Sequence, residues 1–237
     1  MSKLDPRDYY DEFSTSYDKT RNSAYHRMLD DLALELALPY AQDARVLELG
    51  CGTGRILGPL SEAAREAIGV DFAEGMVERA RARGLDARLA ELTELPFADA
   101  SFDLTCSFKV LPHVPDVRRA IAEAVRVTKQ GGHLLLELYN PRSIRYLAKR
   151  LAGAQRVGSS HTEADITTRW DDRRAAVALM PAGTELIDYY GVRVLTPFAA
   201  SHRIPFASDA LRRAERYAMR SWARRFGGFL VLLLRKE

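Results

Sequence analysis

The fold of this chain is decided by residues 46–54, Val-Leu-Glu-Leu-Gly-Cys-Gly-Thr-Gly. The apolar run over residues 44–49 predicts a buried strand, and the alternating glycines after it predict a tight turn. Because glycine has no side chain, such a turn bends sharply and a ligand can approach its backbone closely. We expect a short helix over residues 55–64. Strand, glycine turn and helix are the first half of a doubly wound nucleotide-binding unit.

The acid ahead of the glycines indicates which kind of nucleotide the turn binds. A dinucleotide turn requires Gly-x-Gly-x-x-Gly with the pyrophosphate at the helix N-terminus, and Arg55 stands where the third glycine would be. Glu48, two residues before Gly50, would repel a phosphate but suits a ligand with a positive charge. The pattern therefore disfavours a nicotinamide-dependent oxidoreductase.

The motif Glu-x-Gly-x-Gly-x-Gly resembles that of the class I methyltransferases of small molecules, including the ubiquinone/menaquinone-biosynthesis type. These enzymes use S-adenosylmethionine, which carries an ammonium and a sulfonium but no phosphate, and release S-adenosylhomocysteine. The resemblance implies that Glu48, Gly50, Gly52 and Gly54 hold this cofactor. It also implies an α/β fold, a doubly wound seven-stranded and mostly parallel sheet of Rossmann-like type.

A second family motif is similar to residues 69–81, where a predicted strand ends in an acid. Asp71 at that strand end is placed to accept hydrogen bonds from both ribose hydroxyls, and the alternative is that it caps the next helix. The resemblance places Phe72 against the adenine and Met76 in the same pocket.

The third and fourth predicted strands, residues 86–90 and 101–107, supply the remaining expected cofactor contacts. The family usually has Asp where Glu91 stands, to accept from the adenine amino group, and Leu92 would offer its backbone N–H to the ring. Ser107, at the end of the fourth strand, is also assigned to the cofactor site.

The N-terminal segment carries aromatic residues at helical spacing, Tyr10, Phe13 and Tyr17. It resembles the N-terminal cap that folds over the cofactor in small-molecule methyltransferases. On that resemblance Tyr17 lies near the methionine end of the cofactor and Arg21 reaches its carboxylate. The alternatives are simple packing and a surface salt bridge. A helix over residues 24–38 follows, and we expect Pro39 to end it.

Ligands of open α/β sheets bind at the carboxyl ends of the strands, so the loop after the fourth strand is a candidate for catalysis. His113 in this loop is a candidate general base because imidazole titrates near neutral pH; the alternative is a residue that packs or caps. Lys109 is expected either to meet an anionic acceptor or to be solvated.

A helix from Asp116 to Thr128, ended by residues 130–132, is predicted to lead into a fifth strand over residues 133–139. The residues expected around the acceptor are aromatic or cationic, which favours an acidic or aromatic acceptor: Tyr10, Tyr25, His26, Lys109, Tyr139, Arg142 and Trp170. The last third predicts a strand over 185–195, a very basic helix over 208–225 and a strand over 228–234. We interpret the basic helix face, which includes Arg212 and Arg216, as solvated, against contact with nucleic acid or an acidic partner.

Composition supports one domain with a full core: 237 residues, 47% hydrophobic, and a net charge of +3. We divide it into a cap and covering helix (1–40), a cofactor-binding core (44–140), an acceptor-side insertion after strand five (141–182) and closing strands with a helix (183–237). Cys51 and Cys106 are expected to be reduced, as in a cytoplasmic protein. Neither a metal ligand pattern nor a membrane span is expected.

The sequence therefore predicts methyl transfer from S-adenosylmethionine to a nitrogen, oxygen or carbon of a small molecule. Two alternatives remain: a non-catalytic module that binds the cofactor, and a methyltransferase that acts on a macromolecule. The Asn/Asp-Pro-Pro-Tyr/Phe motif of base methylation is absent where residues 108–113 stand, which disfavours nucleic acid. The sequence does not decide between a monomer and a homodimer.

Overall fold

The computed structural model describes residues 10–11, 14, 17–19, 21–152, 156–157, 161–162, 168–196 and 207–237. Phe13, one of the aromatic residues predicted to share a helix face, lies outside these residues. Among the described residues, none of the helices combines the length and the apolar character that crossing a bilayer requires.

Seven of the described strands form one sheet in the order β3-β2-β1-β4-β5-β9-β8, and two short strands form a separate hairpin. The strands are β1 (Arg45–Leu49), β2 (Glu66–Asp71), β3 (Asp86–Leu89), β4 (Phe102–Ser107), β5 (Thr128–Tyr139), β6 (Arg156–Val157), β7 (His161–Thr162), β8 (Thr184–Val192) and β9 (Phe229–Lys236). The first five strands are parallel, and β9 runs antiparallel to both β5 and β8. The predicted seven-stranded, mostly parallel sheet is confirmed.

Helices cover both faces of the sheet, as expected for a doubly wound fold. They are α1 (Ala24–Ala41), α2 (Leu57–Ala63), α3 (Glu74–Arg81), α4 (Val117–Val127), α5 (Ile144–Ala152), α6 (Arg173–Val177) and α7 (Ala207–Ala218), with 3-10 turns at Leu111–His113 and Trp222–Phe226. One core lies between the sheet and α4, and the other lies between the sheet and α1. Buried apolar side chains on both faces hold the central strands, so their carboxyl ends form a fixed edge.

Pro39 does not end the first helix, which continues to Ala41. Proline lacks one N–H and removes a single backbone hydrogen bond, here in the last turn. Ala37 and Ala41 in that turn are fully buried against the core. Their burial keeps the turn helical, so the prediction of an end at Pro39 was wrong.

Two other predicted boundaries were also wrong. The fourth helix ends at Val127, and β5 begins at once with Thr128, whose hydroxyl donates to the Ala124 carbonyl oxygen (2.7 Å). The glycines at 131–132 therefore lie within the strand. The basic helix, predicted over 208–225, stops at Ala218, and Trp222 lies in a 3-10 turn with 72% of its surface exposed.

Three arginines of α7 and the turn after it form ion pairs and are not merely solvated. Arg212 contacts Asp31 (2.8 Å), and Arg216 and Arg220 both contact Glu35 (2.6 and 2.9 Å). These acids lie on α1, so the ion pairs join the C-terminal helix to the covering helix. All of the pairs are partly exposed, so each contributes at most about 1 kcal/mol.

Candidate functional site

The glycine turn joins β1 to α2 through glycines with positive φ: Gly50 (71°), Gly52 (53°) and Gly54 (83°). The Gly50 N–H donates to the Val70 carbonyl oxygen (2.7 Å), which ties the turn to the end of β2. A left-handed backbone is strained for other residues, so the sequence can form this turn only with glycines. The turn lies at the carboxyl edge of the sheet, where the sequence predicted it.

The three glycines are needed for different reasons. A Cβ atom on Gly50 would overlap the Val110 side chain, and one on Gly54 would overlap Leu85, so these two glycines permit packing. A Cβ atom on Gly52 would meet only the Met76 sulfur, at 4.0 Å. Gly52 is therefore the glycine of this turn that faces open space, as a cradle for a ligand requires.

Asp71 is held beside that open space by two backbone donors. Its Oδ2 accepts from the Gly52 N–H (2.9 Å) and its Oδ1 from the Ala73 N–H (3.0 Å). Burial raises the pKa of this carboxyl, against the opposing effect of the two N–H groups. Each oxygen keeps a lone pair for another donor, so the carboxylate has the capacity to accept from two ribose hydroxyls.

Glu48 is 3% exposed, and its Oε2 has no hydrogen-bond partner among the described residues. Burial raises the pKa of this carboxyl well above its ordinary range, although Lys109 nearby opposes the rise. An unpartnered buried carboxylate is costly, and a cation beside it would offset part of that cost. The two carboxyl groups of this cradle thus fit a cationic nucleoside better than a phosphate.

The structure places the other residues assigned to the cofactor site in different surroundings, and their contacts with the cofactor remain predictions. Tyr10 lies edge-on to Phe72, with ring centroids 5.5 Å apart, and Met76 is buried beside Gly52. The Leu92 side chain belongs to the core and Glu91 is exposed. The Ser107 hydroxyl donates to the Leu49 carbonyl oxygen (3.1 Å), so its donor joins β4 to β1.

Described residues of the N-terminal segment contact the cofactor-binding core, residues 44–140. Asp18 accepts from the Thr53 hydroxyl (2.8 Å) in the glycine turn and pairs with Arg83. The Arg21 guanidinium lies 5.3 Å from the centre of the Tyr17 ring. The roles of Tyr17 and Arg21 at the methionine end of the cofactor remain predictions.

The Lys109 side chain is paired within the protein and is not merely solvated, while its contact with an acceptor stays a prediction. Its ammonium pairs with Asp30 of α1 (2.7 Å), and Arg55 of the glycine turn pairs with the same carboxylate (2.8 Å). Burial alone would raise the pKa of Asp30, but these two cations outweigh it and lower the pKa. The prediction that Lys109 meets an acceptor or solvent overlooked this acid, because nothing in the sequence of α1 indicates that Asp30 faces inward.

His113 lies in the 3-10 turn after β4, where its Nε2 is 3.2 Å from the Tyr139 hydroxyl. Its Nδ1 is 3.5 Å from the Thr168 hydroxyl. Burial raises the pKa of Tyr139 to about 12, so the phenol keeps its proton near neutral pH. The structure brings His113 and Tyr139 together at the carboxyl edge, and the role of His113 as a base stays a prediction.

The segment after α5 returns to the same edge. The Arg169 N–H donates to the Pro112 carbonyl oxygen (2.7 Å) and the Asp171 N–H to the Tyr139 carbonyl oxygen (2.8 Å). Trp170 between them lies 5.4 Å from the Tyr139 ring. Arg142, which was expected at the acceptor, is 70% exposed and pairs with Asp172 (2.8 Å).

Tyr25 and His26, predicted at the acceptor, begin α1. Tyr25 is buried, and the Arg193 guanidinium lies 5.0 Å from the centre of its ring. Burial lowers the pKa of His26 to about 4, so its imidazole is neutral at pH 7. Ser23 caps this helix by accepting from the His26 backbone N–H (3.4 Å), and its hydroxyl lies 2.8 Å from the His26 Nδ1.

Sequence reasoning missed three charged residues near Tyr139: Glu137, Arg145 and Arg193. Glu137 is buried in β5 and accepts from the Lys109 N–H (3.1 Å). An acid inside the apolar run of residues 134–138 is a signal that could have been noticed. Arg193 follows β8 with φ 63° and has no comparable sequence signal.

Comparison with known proteins agrees with this geometry. A family profile described as a methyltransferase domain matches residues 47–136. A proposed methyltransferase of Encephalitozoon cuniculi is 32% identical over 157 residues, which are 62% of this chain and 69% of that protein. The demethylmenaquinone methyltransferase of Clavibacter sepedonicus is 36% identical over 135 residues, 54% of this chain and 55% of that protein.

A solved S-adenosylmethionine-dependent methyltransferase of Thermotoga maritima has the same fold, with a TM-score of 0.70 and 22% identity, over 98% of this chain and 99% of that chain. The chain spans 31 to 55% of the length of the first three curated relatives that it matches. Residues 47–136, which the family profile matches, include the glycine turn and strands β2, β3 and β4. The chain belongs to the class I S-adenosylmethionine-dependent methyltransferases.

Proposed function

We propose that this protein transfers a methyl group from S-adenosylmethionine to a small molecule. The observation that carries the proposal is the cradle at Gly52, an open backbone turn flanked by the carboxylates of Asp71 and Glu48. Both acids suit a ligand that brings hydroxyl donors and positive charge. S-adenosylmethionine, when bound, supplies an electrophilic methyl group.

The chain contributes position and environment to such a reaction. The Gly52 backbone and Asp71 would fix the nucleoside, and the buried Glu48 would balance positive charge. Much of the rate of a methyl transfer comes from holding the nucleophile and the methyl group in line about 3–3.5 Å apart. A base is needed only where the acceptor must lose a proton, and His113 beside Tyr139 is the candidate.

We place the acceptor beyond Tyr139, between the loop after β4 and the segment that carries Trp170. The backbone bonds of Arg169 and Asp171 to these elements support that placement. In this proposal residues 141–182 act as the acceptor-side insertion, and residues 44–140 bind the cofactor. A site this close to the strand ends would fit a small molecule better than a duplex.

The cofactor assignment predicts a ligand-dependent rise in melting temperature. We expect S-adenosylhomocysteine at about 100 times its dissociation constant to stabilise the protein by about 2.7 kcal/mol. NAD at the same concentration should leave the melting temperature unchanged, because its pyrophosphate would meet the acids. Differential scanning fluorimetry with both compounds measures this, and stabilisation by NAD alone would overturn the proposal.

Substitution of Asp71, which we expect to accept hydrogen bonds from the ribose, should weaken cofactor binding. We expect Asp71→Ala to reduce the affinity for S-adenosylhomocysteine by about 1.5–3 kcal/mol, since two hydrogen bonds to a charged acceptor are lost. The exposed Asp86→Ala, on the neighbouring strand β3, controls for the loss of one carboxylate. Isothermal titration calorimetry gives both affinities. Equal binding by Asp71→Ala and the natural protein would mean that the ribose lies elsewhere.

A further inference from the structure

Two arginines from distant parts of the chain converge on one group of aromatic rings. Arg145, in the first turn of α5, lies 4.9 Å from the centre of the Tyr139 ring and 5.2 Å from those of Trp170 and Phe229. Arg193, directly after β8, lies 5.3 Å from the same Phe229 ring. Because β8 and β5 are both antiparallel to β9, their carboxyl ends meet at the edge that carries the glycine turn.

One nitrogen of the Arg145 guanidinium, Nη1, is buried and has no hydrogen-bond partner among the described residues, and none of their carboxylates pairs with it. Aromatic faces hold the cation in place, but they do not accept the N–H bonds in the guanidinium plane. A buried donor without an acceptor costs about 1–3 kcal/mol. An anionic partner that accepts a hydrogen bond from Arg145 would remove this cost.

The surroundings of the cluster carry an excess of positive charge. The charged groups that act most strongly on the Tyr139 hydroxyl are Arg145, Glu137, Arg21 and Arg193. Burial raises the pKa of Glu137 to about 7, so this single acid is only partly ionised at neutral pH. Among the described residues that act most strongly on Tyr139, three guanidinium groups therefore outnumber one acid.

The other carboxylate near the cluster is already occupied. Glu215 accepts from the backbone N–H groups of residues 194–196 at 2.8–3.1 Å, and from the Thr196 hydroxyl (2.6 Å). These four bonds hold the loop after Arg193. Burial lowers the pKa of Arg193, and the charge of Glu215 opposes that shift.

We propose that Arg145 and Arg193 bind an anionic group of the acceptor, and that the acceptor is an aromatic carboxylic acid. This inference rests on the proposed function, since it names the acceptor class of the same site. A guanidinium fork matches a carboxylate with two parallel hydrogen bonds. The rings of Tyr139 and Trp170 would pack against the flat part of the acceptor, beside His113.

The test compares acids with their uncharged amides on protein saturated with S-adenosylhomocysteine. The probes are benzoate and benzamide, 4-hydroxybenzoate and 4-hydroxybenzamide, and indole-3-acetate and indole-3-acetamide. Titration calorimetry or ligand-observed NMR at pH 7 gives each affinity. We expect at least one acid to bind 10-fold or more tightly than its own amide. An absence of preference for the acid in all three pairs would overturn the inference.

Substitutions show which residue causes the preference for an acid over its amide. Arg145→Met should reduce the preference for the acid to below 3-fold, and Arg145→Lys, which keeps the charge but not the fork, should reduce it less. Arg150→Met removes the same charge from the exposed face of α5 and should leave the preference unchanged. A preference that survives both Arg145 variants, or that Arg150→Met lowers equally, contradicts the assignment.

Measuring the binding of S-adenosylhomocysteine separates this inference from the proposed function. If S-adenosylhomocysteine does not bind, the proposed function fails and the acceptor inference fails with it. If it binds and the acids show no preference, only the acceptor inference fails. Unchanged affinity for S-adenosylhomocysteine in Arg145→Met also shows that the variant is folded.

Discussion

Gly52→Val is expected to reduce the affinity for S-adenosylhomocysteine at least about 100-fold, which corresponds to about 2.7 kcal/mol. The reason is the open space over this glycine, where a Cβ atom would meet only the Met76 sulfur, at 4.0 Å. A valine side chain would occupy the space that the cofactor needs. Calorimetric titration of the variant gives the affinity, and circular dichroism shows whether the fold is retained.

Backbone strain is a competing explanation, because Gly52 has φ 53° and valine is disfavoured there. Gly183→Val is the matched control: Gly183 has φ 81°, and a Cβ atom on it would meet nothing within 4 Å. It lies in the turn before β8, away from the glycine turn. We expect it to destabilise the protein similarly and to bind the ligand normally. Weak binding by both variants would show that strain, not occlusion, is responsible.

The part of the fold around the glycine turn was predictable because its sequence signals are local. The run before Gly50 and the acid at Asp71 each mark a strand end within a few residues, and parallel strands bring such ends to one edge. The roles of the individual glycines were not predictable. Their need for packing depends on Val110 and Leu85, which are distant in sequence and contribute no pattern to the turn.

The charged residues around the proposed acceptor site were predicted less well. Contacts between elements that are distant in sequence decide which of these side chains are paired and which face the site. Lys109 looked available in the sequence, but Asp30 of α1 pairs with it. Arg142 was chosen from its place after β5, yet Arg145 is the residue of that segment that lies against Tyr139 and Trp170. Helical spacing alone does not say which of several arginines faces a neighbouring strand.

These contacts also explain why the site tolerates so many buried charges. Asp30 joins α1 to Lys109 and Arg55, so one carboxylate fixes both the loop after β4 and the glycine turn. Glu215 fixes the loop after β8 in the same way through its backbone acceptor bonds. A buried ion of this kind is weak evidence for stability, but its removal leaves partners unsatisfied and would shift the loops that it holds.

Glu137→Gln should make the protein less sensitive to alkaline pH. Burial raises the pKa of Glu137 to about 7, from about 4.5 in an unfolded chain. Between these values the folded state binds a proton that the unfolded state has released, so the free energy of unfolding falls as pH rises. The shift of about 2.5 pKa units corresponds to a loss on the order of 3 kcal/mol between pH 4.5 and 8.

The groups that face this carboxyl act in the opposite direction, since Lys109, Arg145 and Arg193 all lower its pKa without overcoming burial. Glutamine keeps the acceptor for the Lys109 N–H and has no proton to lose. The variant should therefore match the natural protein near pH 4.5 and exceed its stability by about 3 kcal/mol at pH 8, measured by urea unfolding. Glu185→Gln, an exposed change on β8, controls for the loss of one charge. A difference between Glu137→Gln and the natural protein that stays constant over this range would mean that Glu137 is ionised throughout, and that the excess positive charge beside Tyr139 is smaller than inferred.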